Sequence, residues 1–264
     1  KLAATIGNQF DLRTLAIINE QSAMETATDL WESLQAGFIL PLDNSYKFLQ
    51  ELDTGANIQY RFLHDRVQQA AYSLIAESQL KPLHLKIGRL LLKNTPQDTL
   101  DEYIFDILEQ LNTGKELIED AAEKLLLAEL NLRAGKKAKS ATAYQAAVMH
   151  LRTGMALLPP DAWQSHYLLS LELFRQCAEA EYLSGNFVQA EALYPVALGS
   201  ARTVLEKISI LLVQIIQYQL QMRCSEAIEC LRSGLELLGF SIPATEEGIT
   251  ALLQHNLQEI NQNL

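Results

Sequence analysis

Long apolar runs are missing from this sequence. No stretch reaches the roughly 18 to 20 uninterrupted apolar residues that a membrane-spanning helix needs, although 48% of its 264 residues are hydrophobic. The basic-then-apolar opening of a secretory signal is missing too, so the default expectation is a cytoplasmic chain without a membrane partner. Cysteine is scarce: Cys177, Cys224 and Cys230 form no CxxC pair. All three fall inside helical patterns, which supports neither a disulfide framework nor a zinc site and points to buried thiols. With five histidines in the whole chain, His64-Asp65 has few further ligands to recruit for a metal. A helix cap at Asp65 beside an ordinary strand-end histidine accounts for the pair.

Phosphate chemistry has no motif to stand on. Gly114-Lys115 and Gly135-Lys136 have Glu109 and Leu130 where a P-loop has its first glycine, and neither lysine is followed by Ser or Thr. There is no Gly-rich nucleotide loop, no His-Arg-Asp loop and no Asp-Phe-Gly. No catalytic residue, metal ligand or cofactor site is therefore assigned. Basic residues are also in deficit. The formal charge is −11, and residues 1–95 hold 9 basic and 10 acidic side chains, leaving 12 against 22 for the rest. That acidic remainder repels nucleic acid and anionic lipid.

What is present is helix-forming pattern. The chain has no initiator Met and opens on Lys1-Leu2-Ala3-Ala4 as if inside an apolar helix, as expected of a segment of a longer polypeptide. Residues 1–76 have a mixed texture. Phe10-Asp11-Leu12 is read as opening a first helix, and Ser22 with Glu25 has the capping-box form for a second, over residues 23–36, with Trp31 and Leu34 as core. Gly37 stops that helix. Residues 38–42 read as an edge strand, because Pro41 removes a backbone donor. Residues 58–63 alternate as its partner, with about 15 polar residues between them as a hairpin tip. Asp65 with Gln68 repeats the capping-box logic for a helix over 65–75. Helix, helix, strand, wing, strand is the order of a winged helix.

From Leu80 onward the pattern is helical, broken at Thr95-Pro96, Asn112-Thr113-Gly114, Pro159-Pro160, Gly185-Asn186 and Gly239 to Pro243. The run Gly185-Asn186-Phe187 with Ala190, Tyr194 and Ala197-Leu198 fits the turn and second helix of a tetratricopeptide repeat. Small residues at Ala190 and Ala197 let antiparallel helices approach closely, while Phe187 and Tyr194 fill the space between hairpins. Equivalent positions recur 37 residues later at Ala227, Leu231 and Gly234-Leu235. They also recur 43 residues earlier, at Tyr144, Ala147, Leu151 and Gly154-Met155. An irregular bundle whose small and aromatic residues merely pack is the competing reading. The expected architecture is mainly α: a small winged-helix-like domain (1–76), connecting helices (77–112), degenerate TPR-like repeats (113–242) forming a solenoid, and the start of a further helical segment (243–264).

Phe62-Leu63-His64-Asp65-Arg66-Val67-Gln68-Gln69-Ala70-Ala71-Tyr72-Ser73-Leu74-Ile75 resembles the segment that follows the ATPase core in AAA-type and STAND-type signalling proteins. Residues 83–92 resemble the helix that comes next there. With residues 6–12 and 27–32, these stretches resemble the large hybrid serine/threonine-kinase, GAF and histidine-kinase proteins of cyanobacteria. The resemblance implies a parent with ATP-dependent phosphotransfer, whose ATP and Mg2+ sites lie in other domains. This segment is then a non-catalytic regulatory scaffold, its partners being other domains of the same polypeptide or a protein segment in the repeat groove. Projecting the repeat register places Glu172, Arg175, Glu179 and Tyr182 on the groove face, with Glu129, Lys136 and Lys139 one repeat earlier. The same residues also fit an ordinary solvated helix face. The alternative function is a DNA-binding winged-helix regulator with a repeat sensor domain. Against it, the candidate recognition helix carries Glu25, Asp29 and Glu32 and no Lys or Arg.

Overall fold

A computed structural model describes residues 1–42, 58–243 and 245–263. It is mainly α, with one small sheet, and its contacts divide it into two compact units, Lys1–Leu130 and Asn131–Leu264. The first unit therefore holds both the mixed N-terminal region and the helices that follow it.

The first unit runs α1 (Leu2–Ile6), β1 (Gln9–Asp11), α2 (Leu12–Asn19), α3 (Ala23–Gln35), β2 (Ile39–Pro41), β3 (Gln59–Phe62), α4 (Asp65–Ser73), α5 (Glu77–Asn94) and α6 (Leu100–Gly114). The sheet is antiparallel in the order β1-β3-β2, with Phe10 opposite Tyr60 and Ile39 opposite Phe62. β2 is an edge strand, as Pro41 requires. Phe10 does not open a helix. It sits in β1 with its ring 5.8 Å from that of Tyr60, and Asp11 instead caps α2 by accepting from the Thr14 amide at 2.7 Å. The capping box of α3 forms as expected: the Glu25 amide donates to Ser22 Oγ and the Ser22 amide donates to Glu25 Oε2. A core of Leu12, Leu15, Ala27, Leu30, Ile58 and Phe62 joins helices to sheet.

Two expectations for this region fail. Trp31 is 52% exposed rather than core, because α3 turns Ala27 and Leu30 inward. Asp65 makes no side-chain cap, and the Gln68 amide reaches across to the Ala4 carbonyl at 2.7 Å. The expected hairpin tip falls on residues 43–57, outside the described residues.

α5 and α6 cross at two glycine notches. A Cβ on Gly88 would lie 2.6 Å from Leu111, and one on Gly114 would lie 2.6 Å from Leu85, so each notch seats a leucine of the other helix. A buried polar chain ties four helices of the unit together. Tyr72 Oη lies 2.9 Å from His84 Nε2, His84 Nδ1 lies 2.7 Å from Gln110 Oε1, and Gln110 Nε2 donates to the Thr5 carbonyl at 3.0 Å. Since an amide oxygen only accepts, His84 donates from Nδ1 and accepts from Tyr72 at Nε2.

α7 (Ala121–Ser140) follows, and its residues from Asn131 onward belong to the second unit. That unit continues with α8 (Tyr144–Ala156), α9 (Ala162–Ser165), α10 (Tyr167–Leu183), α11 (Phe187–Ser200), α12 (Val204–Leu220), α13 (Cys224–Leu237) and α14 (Glu246–Asn263). α10 packs on α8 and α11, and α12 packs on α11 and α13. Ala147, Ala190 and Ala227 are all buried at these packed helices.

The turns after α7, α10 and α12 share one geometry. Their middle residues, Thr142, Gly185 and Met222, have φ of 60°, 82° and 58°. In each, the next amide donates back five residues: Ala143 to the Ala138 carbonyl at 2.9 Å, Asn186 to Glu181 at 2.9 Å, and Arg223 to Tyr218 at 2.8 Å. This is the bonding of a Schellman helix ending. The turns recur at the 43- and 37-residue spacings read from the sequence. Only one uses glycine, so the breaks at Thr142 and Met222 carried no composition signal.

Candidate functional site

The residues expected to line a groove meet one another. Lys136 Nζ lies 2.6 Å from Glu172 Oε1, Arg175 Nη2 lies 2.9 Å from Glu172 Oε2, and Lys139 Nζ lies 2.5 Å from Glu179 Oε2. Burial alone would raise the Glu172 carboxyl. The hydrogen bonds from Lys136 and Arg175 outweigh it and hold the group below its ordinary value. These five side chains form an ion-pair ladder across α7 and α10. Tyr182 does not join it: at 6% exposure it is part of the core, packed with Tyr194 and Ala190, because α10 turns that position toward α11. Glu129 lies on α7 and is exposed.

Two polar clusters had no sequence signal. Glu181, wholly buried, is paired with Arg152 and accepts from Asn186 Nδ2 at 2.8 Å. Arg223 lies 2.6 Å from Glu191 and 2.8 Å from Glu226, with its guanidinium 4.3 Å above the Tyr218 ring. Glu191 also accepts from Gln217 Nε2, whose Oε1 receives the Tyr194 hydroxyl at 2.7 Å. Asn186 and Arg223 occupy the same place in their turns. The partners become visible only once the turns are superposed.

Of the three thiols expected to be buried, Cys177 is, Cys230 is half-buried and Cys224 is exposed. Burial, followed by the charge of Glu181, pushes the Cys177 thiol up to about 12, so it stays protonated and unreactive at neutral pH. Among the described residues no group of three or more His, Cys, Asp or Glu is placed to hold a metal ion. No helix of the described residues is long and apolar enough to cross a membrane.

The first unit has a cavity of about 280 Å3 between β1, α2, α5 and α6, bordered by Asp11, Arg13, Thr14, Asn94, Tyr103 and Asp106. Burial, then the charge of Asp11, raises the Asp106 carboxyl. A wider, more apolar groove of about 700 Å3 runs between α3 and α4, and the buried Thr26 hydroxyl in its wall has no hydrogen-bond partner among the described residues.

The second unit should lose stability in acid in two stages. Burial lowers the His150 imidazole below its ordinary 6.5, so stability present above that pH is lost as pH falls through the folded value. Glu172, held below its ordinary 4.5, adds a second loss as pH falls further. Thermal melts from pH 8 to pH 3 should show both stages. Glu206 and Glu226 are held low as well, so Glu172→Gln should shrink the lower stage and leave the upper one. An unchanged acid profile in that variant would contradict the ladder's role.

The chain matches one curated protein over most of its length. It is 29% identical over 276 aligned residues to hybrid signal transduction histidine kinase G of Dictyostelium discoideum, an alignment covering 86% of this chain and 8% of that kinase. The chain thus spans a small fraction of the relative it resembles. No known protein family matches it, and no solved structure does.

Proposed function

We propose that this chain is a non-catalytic regulatory and protein-interaction segment of a larger multidomain signalling kinase. In this reading the first unit is a winged-helix-like module and the second a TPR-like array. The observation that carries it is the alignment to a hybrid histidine kinase, which covers 86% of this chain and 8% of the kinase. The three equivalent turns and the buried Ala147, Ala190 and Ala227 favour a stack of like hairpins, the architecture of repeat scaffolds. ATP and Mg2+ would be bound by other domains of such a parent. The partners would be those domains, or a protein segment held by the array.

Groove recognition in this reading must break or bridge existing pairs, because Lys136, Lys139 and Arg175 already have carboxylate partners. Two measurements test the proposal. The isolated chain, incubated with Mg2+ and radiolabelled ATP, should release no phosphate above blank; turnover would sink the non-catalytic reading. In the longer kinase polypeptide, loosening the second unit by Tyr194→Ala should change the rate of autophosphorylation while nucleotide affinity stays constant. An unaltered rate would remove the regulatory role.

A further inference from the structure

A threonine inside a helix either turns its hydroxyl to solvent or bonds the carbonyl one turn back. Thr28, Thr113, Thr153 and Thr250 take the second course, at 2.7–2.9 Å. Thr26 on α3 takes neither. Its amide donates to the Ser22 carbonyl at 3.0 Å. The residue is only 1% exposed, and its hydroxyl has no hydrogen-bond partner among the described residues. A buried hydroxyl left bare costs stability, because nothing replaces the water it gave up.

Thr26 stands in the wall of the groove of about 700 Å3 that α3 and α4 border. Among the described residues, six that line this groove are buried: Ala3, Leu15, Leu30, Ile39 and Phe62 are apolar, and Thr26 is the sixth. The charged residues of the lining, Lys1 and Asp29, are both exposed and of opposite sign, so its deep part has no charge. Phe38 and Leu74, 53% and 64% exposed, carry the apolar lining out to the surface. A concave site of this size, apolar with few polar groups, has the form of a small-molecule site. The one unmet hydroxyl in its deep wall calls for an oxygen acceptor on the occupant.

We propose that this groove binds an uncharged, largely hydrocarbon molecule of the long-chain ketone, ester or amide class. Its oxygen accepts from the Thr26 hydroxyl, and its chain lies along Leu30, Ile39 and Phe62. A turn about the Cα–Cβ bond of Thr26 exchanges hydroxyl and methyl between staggered positions and presents the hydroxyl to the groove. The same wall disfavours a carboxylate, because one hydroxyl does not offset the desolvation of a full charge. Such a site in the first unit stands whether or not the chain serves a kinase.

Isothermal titration calorimetry of the chain with 2-nonanone, and separately with nonanoate, tests the site. The ketone should saturate a single site with a Kd of about 10–100 μM, the range for a ligand of its size. The carboxylate should bind at least about tenfold more weakly. Thr26→Val keeps the shape and removes the hydroxyl. It should weaken the ketone about fivefold, the worth of one hydrogen bond, yet raise the melting temperature of the ligand-free first unit by about 2–4 °C. A residue kept for packing alone would not move these two readouts in opposite directions. Ala70 is an exposed α4 residue of the lining, so Ala70→Trp should abolish binding with helical circular dichroism unchanged. No saturable heat up to about 1 mM ketone, equal affinity in Thr26→Val, binding that survives Ala70→Trp, or nonanoate as tight as the ketone each overturns the proposal.

Discussion

Tyr194→Ala is expected to destabilise the second unit by about 3–5 kcal/mol, the range for removing a large buried ring and leaving a cavity. Tyr194 packs with Leu171 and Ala178 of α10 and Ile210 and Val213 of α12, so no single side chain can move in to fill the space. Burial, first of all, pushes its hydroxyl well above the usual tyrosine range, and the hydroxyl remains a neutral donor to Gln217. Tyr194→Phe separates the two contributions. It keeps the ring but strands Gln217 Oε1, for a loss of about 1–3 kcal/mol. Urea unfolding should show the midpoint of the second unit falling while that of Lys1–Leu130 stays fixed. A loss below about 1 kcal/mol for the alanine variant would mean that the hairpin interface is not the array's main support.

Arg152→Met should have the next largest effect, about 2–4 kcal/mol. Removing one partner of a buried pair typically costs about 3–5 kcal/mol, because the other charge is left desolvated. Here Arg152 is 54% exposed and Glu181 is wholly buried, so the pair is partly screened and the lower part of the range applies. Asn186 Nδ2 still donates to Glu181 after the substitution, which further limits the loss. Arg152→Met/Glu181→Gln should recover most of it, since a neutral amide no longer needs the guanidinium. A double variant no more stable than Arg152→Met would show that the loss does not come from an uncompensated charge on Glu181.

Helix packing in the second unit was legible in the sequence where a residue type is forced by close approach. An alanine at a helix crossing has few substitutes, so Ala147, Ala190 and Ala227 marked the register and all three are buried. The ladder was half legible. Register placed Lys136, Lys139, Glu172, Arg175 and Glu179 near one another, but their signs alone did not say that they pair rather than face outward. Apart from the pairing of β2 with β3, long-range choices were not legible. Asp65 and Gln68 satisfy a local rule, yet Gln68 bonds a carbonyl 64 residues away, and local spacing holds no record of that competitor. β1 escaped notice because three residues are too few to show alternation, and its strand character comes from pairing with β3.

The ladder also bears on how fast anything can find this protein. Three cations and two carboxylates within ion-pair distance nearly cancel at close range. Beyond a screening length of about 8 Å at physiological ionic strength, an approaching molecule senses little potential from that face, although the chain carries a formal charge of −11. At that ionic strength diffusional encounter there is governed by shape and collision frequency, whereas at low salt the net charge of the whole chain is felt again.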